Sequence, residues 1–143
     1  MSFDPSSSAG YLANHMARLF AQQLQARIAP LGLTPGQFPA LLALWAKDGQ
    51  TQRELVQELN IEQATLANTL TRMERDGLII RQPNPADGRS TIIRLTAKAK
   101  ALQSPATGAA KEVNAMALAG LSDQEREMFL GAMRQIIQQL KPD

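Results

Sequence analysis

Residues 51–96 read TQRELVQELNIEQATLANTLTRMERDGLIIRQPNPADGRSTIIRLT, and this stretch decides the fold. Thr51-Gln-Arg-Glu54 matches a capping box, in which the threonine hydroxyl and the glutamate carboxylate each accept a backbone N–H from the other residue. It predicts a short helix whose inner face carries Leu55, Val56 and Leu59. We expect Asn60 to cap a second helix, which ends near Asp76-Gly77. That helix buries one apolar stripe at three- and four-residue spacing, made of Leu66, Leu70 and Met73.

A hairpin follows these two helices. Two runs rich in β-branched residues, GLIIRQ and TIIRLT, flank the segment from Pro83 to Ser90, whose two prolines exclude a helix and a central strand. Asp87-Gly88 is a hairpin turn signal, and Gly88 relieves the backbone at the bend. The sequence therefore predicts a two-stranded hairpin with Arg89 at its tip.

Helical patterns also precede this unit. Apolar residues at three- and four-residue spacing predict a first helix over residues 8–29, which stops before Pro30. Thr34-Pro-Gly-Gln37 then matches a capping box with proline at the first helical position. It opens a helix that ends near Asp48-Gly49.

Two more helices follow the hairpin. Thr96 begins a long helix toward Leu118, and we expect a kink or break where Pro105 and Gly108 interrupt it. Ser122-Asp-Gln-Glu125 caps the last helix. The predicted fold class is therefore mainly α with a small β-hairpin.

The two central helices form a helix-turn-helix pattern. Opposite its apolar stripe, the second helix carries short, polar and basic side chains, namely Ala64, Thr65, Asn68, Arg72 and Arg75. Asparagine can bond adenine, arginine can bond guanine, and threonine can contact a phosphate or a thymine methyl. This face therefore suits double-stranded DNA, with a plain solvated helix face as the alternative.

The hairpin strengthens the DNA interpretation. A hairpin that follows a helix-turn-helix is a wing beside the DNA backbone, and one arginine at its tip can enter the minor groove. Asp87 can hold that tip by pairing with Arg89 or with a neighbouring arginine. The alternative is a turn residue with a solvent-exposed charge. From Arg72 to Lys100, seven basic residues stand against three acidic ones. The predicted DNA-binding residues are Gln63, Ala64, Thr65, Asn68, Thr69, Arg72, Asp87, Gly88, Arg89 and Ser90.

The sequence resembles the MarR family of winged-helix transcriptional regulators over nearly the whole chain. The resemblance rests on LTPGQFPALLAL at residues 33–44, on the close of the second helix, on the wing pair Asp87 and Arg89, and on Leu-Thr after the wing. It implies a winged helix-turn-helix DNA-binding lobe over residues 34–96 and dimerisation helices over residues 8–33 and 97–143, within one domain of residues 1–143. The sequence departs from the family pattern at Ala99, where the family often has glycine, and at Asn68, where it frequently has a basic residue.

The resemblance also implies a function. It predicts a homodimeric, sequence-specific transcriptional regulator, specifically a repressor released from a palindromic double-stranded DNA operator by a small ligand. The expected ligand is a flat aromatic acid or a phenol, held in a mostly apolar cleft with one polar group. The candidate lining residues are His15, Met16, Leu19, Phe38, Leu41 and Trp45. The alternative is that these side chains simply fill the core, with His15 as a partly buried structural histidine.

Other functional classes lack the residues that they need. The chain has no cysteine and a single histidine, so nucleophilic triads are incomplete and we expect no enzymatic activity, cofactor or metal. The sequence contains no signal peptide and no long apolar run, so we expect a cytoplasmic protein without a membrane partner. A winged-helix module that binds proteins and does not read DNA is the remaining alternative.

Overall fold

The computed structural model describes residues 2–142, so the two end positions of the predicted 1–143 domain lie outside it. The predicted fold class is confirmed, because the described chain is mainly helical with one small antiparallel sheet. The helices are α1 (Ala9–Ile28), α2 (Phe38–Ala46), α3 (Gln52–Leu59), α4 (Gln63–Arg75), α5 (Ala97–Ala101), α6 (Gln103–Ala117) and α7 (Asp123–Leu140). The strands are β1 (Gln50–Thr51), β2 (Ile79–Asn84) and β3 (Asp87–Leu95).

One apolar core joins α2, α3, α4 and the sheet. The predicted stripe of α4 is fully buried at Leu66, Leu70 and Met73, and it packs in a cluster with Leu41 and Leu55. Because apolar area removed from water drives folding, this cluster fixes how α4 is presented to solvent. Within the described residues, no helix combines the length and apolarity needed to cross a membrane.

Two of the predicted capping boxes hold their helices as expected. Glu54 N donates to Thr51 Oγ1 at 3.1 Å, and Thr51 N donates to Glu54 Oε1 at 3.1 Å. The box at Ser122 repeats this exchange with Glu125 at 3.1 and 2.9 Å. Each box satisfies two backbone donors that a helix terminus would otherwise leave unbonded.

The predicted role of Asn60 is wrong. Asn60 has a φ of 53° and a ψ of 38°, so it ends α3 in the left-handed region. Asparagine tolerates this conformation better than most residues because its side chain is short and polar. The residue that precedes α4 as its N-cap is Glu62, which makes no side-chain capping bond.

The hairpin turn lies two residues earlier than predicted. Asn84 pairs with Asp87, so the turn consists of Pro85-Ala86, and Asp87-Gly88 already belongs to β3. Proline suits the first central position of a turn because its ring presets φ, and this preference outweighed the Asp-Gly signal. The position of Pro83 also fits the sheet order β1-β3-β2, because β2 is an edge strand and an edge strand tolerates proline. The third strand, β1, was not predicted.

The long helix after the wing breaks earlier than predicted. It divides at Leu102 into α5 and α6, while Pro105 occupies the first turn of α6 and Gly108 lies in its uninterrupted interior. A proline cannot donate to the carbonyl four residues before it, so a continuous helix through Ala101 and Pro105 would lose a hydrogen bond. The break at Leu102 removes that conflict.

Gly49, in the loop between α2 and β1, is the glycine at which a side chain is least compatible with the structure. Its φ is +76°, and a Cβ there would lie 2.6 Å from Nη1 of Arg94. We expect Gly49→Ala to lower the free energy of unfolding by about 1–2 kcal/mol, because a left-handed backbone is costly for any L residue with a side chain. Urea denaturation measures this difference. Gly108→Ala is the control, since its Cβ would meet open space inside a helix. Equal stability of the two variants would contradict the expectation.

Candidate nucleic-acid interface

The outward face of α4 presents the predicted polar side chains. Gln63, Ala64, Thr65, Asn68 and Arg72 are exposed, and Thr69 is half-buried. The Thr69 hydroxyl donates to the carbonyl of Thr65 at 3.0 Å, so its proton is already used within the helix. Asn68 and Arg72 make no side-chain hydrogen bond within the described residues. Their donors and acceptors are therefore available to a partner.

Arg89 projects from an irregular part of the wing, three residues after the turn. The β2–β3 register passes from the pair Pro83–Thr91 to the pair Asn84–Asp87, which leaves residues 88–90 of β3 without a partner in register. Such a bulge bends a strand and re-aims its side chains. The predicted tip position of Arg89 is thus corrected to a bulge beside the tip.

Side-chain contacts hold this bulge in shape. Asp87 Oδ1 accepts the backbone N–H of Arg89 at 3.0 Å, so this carboxylate binds the arginine main chain and not a guanidinium as predicted. Asn84 Nδ2 donates to Ser90 Oγ at 2.9 Å across the same loop. Gly88 does not have a positive φ, so the predicted need for glycine at the bend is wrong. The Arg89 guanidinium remains exposed and outside any ion pair in the described chain.

The wing, α4 and α3 meet around one cleft of about 510 Å³. The cleft brings together three predicted residues, Gln63, Arg89 and Ser90. It also includes side chains that sequence reasoning missed, and these come from the first turns of α3 and from β3: Thr51, Gln52, Arg53, Val56, Gln57 and Thr91. The capping box predicted that Arg53 lies at the start of α3, but nothing in the sequence indicated that this turn lies next to the wing.

A second, smaller cavity of about 130 Å³ lies along the C-terminal half of α4. Thr69, Arg72 and Arg75 line it together with residues from the turn before α2. The hydrogen bond from Arg75 Nε at 3.1 Å lowers the pKa of Asp76 below its usual range. Asp76 therefore stays charged and restrains Arg75. Arg72 has no such acidic partner within residues 2–142.

The predicted ligand residues do not line one cavity in the single chain. Phe38 and Leu41 are buried in the core, and Trp45 Nε1 donates to the carbonyl of Ala99 at 3.0 Å. Met16 and Leu19 instead line an apolar groove of about 500 Å³ between α1, α6 and α7. His15 is exposed with its ring 6.1 Å from that of Tyr11, so its predicted partial burial is wrong for the single chain.

Clusters of acids or histidines are absent from this surface. Across residues 2–142, no group of three or more His, Asp or Glu side chains lies close enough to hold a metal ion.

The chain is similar in sequence to known proteins. The MarR family model matches residues 31–90. The transcriptional regulator HosA of Escherichia coli O111:H- is 33% identical over 105 residues, which cover 73% of this chain and 78% of that protein. The HTH-type transcriptional repressor NicR of Pseudomonas putida is 26% identical over 135 residues, covering 94% of this chain and 85% of that protein.

A solved structure shares the fold. A MarR family regulator from Listeria monocytogenes, crystallised with a 26mer DNA, superimposes with a TM-score of 0.85 at 24% identity. The match covers 94% of this chain and 89% of that one. At this identity the likeness establishes the shared fold.

Proposed function

The chain belongs to the MarR family of transcriptional regulators, and we propose that it is a repressor that binds a palindromic double-stranded DNA operator as a homodimer and leaves it on binding a small ligand. One observation carries the DNA part of this proposal. Gln63, the first residue of α4 and of its exposed polar face, lines one cleft together with the wing arginine Arg89, and Thr65, Asn68 and Arg72 continue the exposed face along the helix. The repressor NicR and the DNA-bound relative from Listeria monocytogenes support it.

The chemistry of α4 suits the major groove. Asn68 offers the amide pattern that bonds adenine at two atoms, and Arg72 offers the fork that bonds guanine. Arg89, on the wing, suits the minor groove because the negative potential there attracts a guanidinium. Contacts to the major groove and to the minor groove thus come from different elements of one lobe.

The last helix supplies the argument for a homodimer. Among the described residues of α7, none is buried, although the helix is 18 residues long. Its apolar side chains are largely exposed in the single chain, with Met128 at 67%, Ile136 at 53% and Leu140 at 77%. An isolated helix is marginal in water, and contiguous exposed apolar surface marks an interface. If a second copy of the chain covers this face, the dimer presents two α4 helices. These can bind two DNA half-sites whose centres are ~34–36 Å apart.

Footprinting tests the proposal directly. DNA flanking the gene is incubated with the purified protein, and protection is mapped at single-base resolution. We expect one protected region with two-fold symmetry, bound more tightly than unrelated duplex and more weakly at higher salt. A chain that binds neither duplex in a salt-dependent way would overturn the DNA function and favour a protein-interaction module.

Ligand release has its own test. The bond from Trp45 to Ala99 ties α2 to α5, which continues into α6, and α6 lines the groove with Met16 and Leu19. We expect one member of a panel of benzoic acids and phenols to quench Trp45, the sole tryptophan, and to weaken operator binding. A ligand weakens DNA binding only if it binds more tightly to the dimer when the spacing of its two α4 helices does not fit the operator. Quenching that leaves operator affinity unchanged would contradict the proposed coupling.

A further inference from the structure

We infer that the cleft between α3 and the wing holds a phosphodiester of the DNA backbone, and that Arg53 contacts this phosphate while Arg89, on the facing wall, reaches the adjacent minor groove. The inference rests on the proposed DNA-binding function and extends it to a residue outside the recognition helix and the wing. It assigns Arg53 to positioning the protein on the duplex and not to reading its sequence. Contacts to phosphate carry no direct sequence information.

The charge of the cleft supports an anionic occupant. Arg53 and Arg89 line it from two different elements, and both are exposed. The residues that line it include no aspartate or glutamate. Over the described chain, the ion pairs join Arg27 to Glu112 and Arg75 to Asp76, so neither cleft arginine forms an ion pair with an acidic side chain.

The acidic side chains nearest to the two cleft arginines in sequence are held by backbone groups. Asp87 Oδ1 accepts the N–H of Arg89 at 3.0 Å. Glu54 follows Arg53 directly, but its Oε1 accepts the N–H of Thr51 at 3.1 Å. Thr51 Oγ1 in turn accepts the N–H of Glu54, so the capping box fixes both groups at the helix start. Arg53 stands in that first turn, where unbonded amide N–H groups also favour an anion. The Arg53 side chain and the polar groups that line the cleft, and not the helix start alone, make the site, and Arg89 adds positive charge from the facing wall.

The remaining lining residues suit a phosphodiester. Ser90, Thr91 and Gln63 provide hydroxyl and amide groups around the arginines, and side chains of these types commonly bond phosphate oxygens. The cavity has a volume of about 510 Å³ and is open to solvent. Gln63 is the first residue of α4, so a phosphate seated here would lie at the N-terminal end of the recognition helix. That position sets how the helix enters the groove.

The salt dependence of binding tests this assignment. Affinities of the wild type and of Arg53→Ala are measured by fluorescence anisotropy between 50 and 300 mM salt, on the footprinted operator and on an unrelated duplex. We expect the slope of log affinity against log salt to become shallower by about one unit. The affinity near 0.1 M salt should fall roughly tenfold, by the same factor on both duplexes.

Two further variants and a stability measurement serve as controls. Arg53→Lys keeps the charge and should restore most of the slope, which a merely structural role of Arg53 would not predict. Lys111→Ala removes one exposed charge from α6, away from the cleft, and should leave slope and affinity unchanged. Thermal unfolding of each variant should match that of the wild type, because substitutions of exposed residues have small effects.

The outcomes separate this inference from the proposed function. A wild type without salt-dependent duplex binding would overturn the DNA function itself. A wild type that binds, with Arg53→Ala retaining its slope and affinity, would overturn only the phosphate assignment. Loss of affinity on the operator alone would show that Arg53 reads bases, and would overturn the assignment as well.

Discussion

A variant carrying Ile136→Glu and Leu140→Glu is expected to be a monomer that no longer holds the operator. Both side chains are more than half exposed in the single chain, so replacing them should leave the fold of one protomer nearly unchanged. In a homodimer joined through α7, however, four carboxylates would be buried in apolar surroundings without partners. Burying unpaired charges costs far more than an interface of this kind can offset.

The expected loss of DNA affinity is large because the dimer binds two half-sites together. Once one lobe is bound, the second lobe binds intramolecularly, and such avidity amounts to roughly 10²–10⁴-fold. Sedimentation equilibrium measures the oligomeric state, and anisotropy on the operator measures the affinity. Gln138→Glu is the matched control, because Gln138 lies about 200° around the helix from both substituted residues. A double variant that still sediments as a dimer would show that α7 is not the interface.

Local chemistry made most of the fold predictable. The capping boxes at Thr51 and Ser122 and the buried stripe of α4 each follow from residues within one turn of one another. Such short-range patterns have a direct physical meaning, since a helix start needs acceptors for its free N–H groups and a helix face needs a core. The order of these elements then indicated a winged helix-turn-helix.

The predictions of the hairpin turn and of the helix break were wrong because local signals competed there. Pro85 and Asp87-Gly88 both favour a turn, and only the pairing of β2 with β3 decides between them. The break at Leu102 likewise depends on which carbonyl loses its donor when Pro105 enters the helix. The strand β1 has two residues, which is too short for any periodic pattern, and it exists because Gln50 pairs with Ile93.

The candidate site was only partly accessible to sequence reasoning. Residues such as Asn68 share one element with the stripe that orients them, so their exposure follows from helical periodicity. Arg53 acquires its position from the packing of α3 against α4 and the wing, which is a long-range contact. The predicted ligand residues illustrate the same limit, because Phe38 is buried in the core whereas Met16 lines the groove between α1, α6 and α7.

The second large effect is expected for Arg89→Ala, which should weaken operator binding by roughly 1–3 kcal/mol. The backbone of the bulge is held by Asp87 and by the bond from Asn84 to Ser90, and none of these contacts uses the Arg89 guanidinium. The substitution should therefore leave the wing in place and change stability by no more than about 0.5 kcal/mol. Anisotropy on the operator and thermal unfolding measure the two quantities.

Asn68→Ala is the variant against which the effect of Arg89→Ala on operator binding is compared. Asn68 is exposed on α4, and we expect its loss to relax discrimination at one base pair of each half-site, measured on operators with single substitutions. Arg89→Ala should instead weaken binding to all of these operators, with the largest loss where the minor groove is narrow, because a narrow groove has the stronger negative potential. Wild-type affinity of Arg89→Ala on every operator would show that the wing stands away from the DNA. In that case α4 alone would have to supply the specificity.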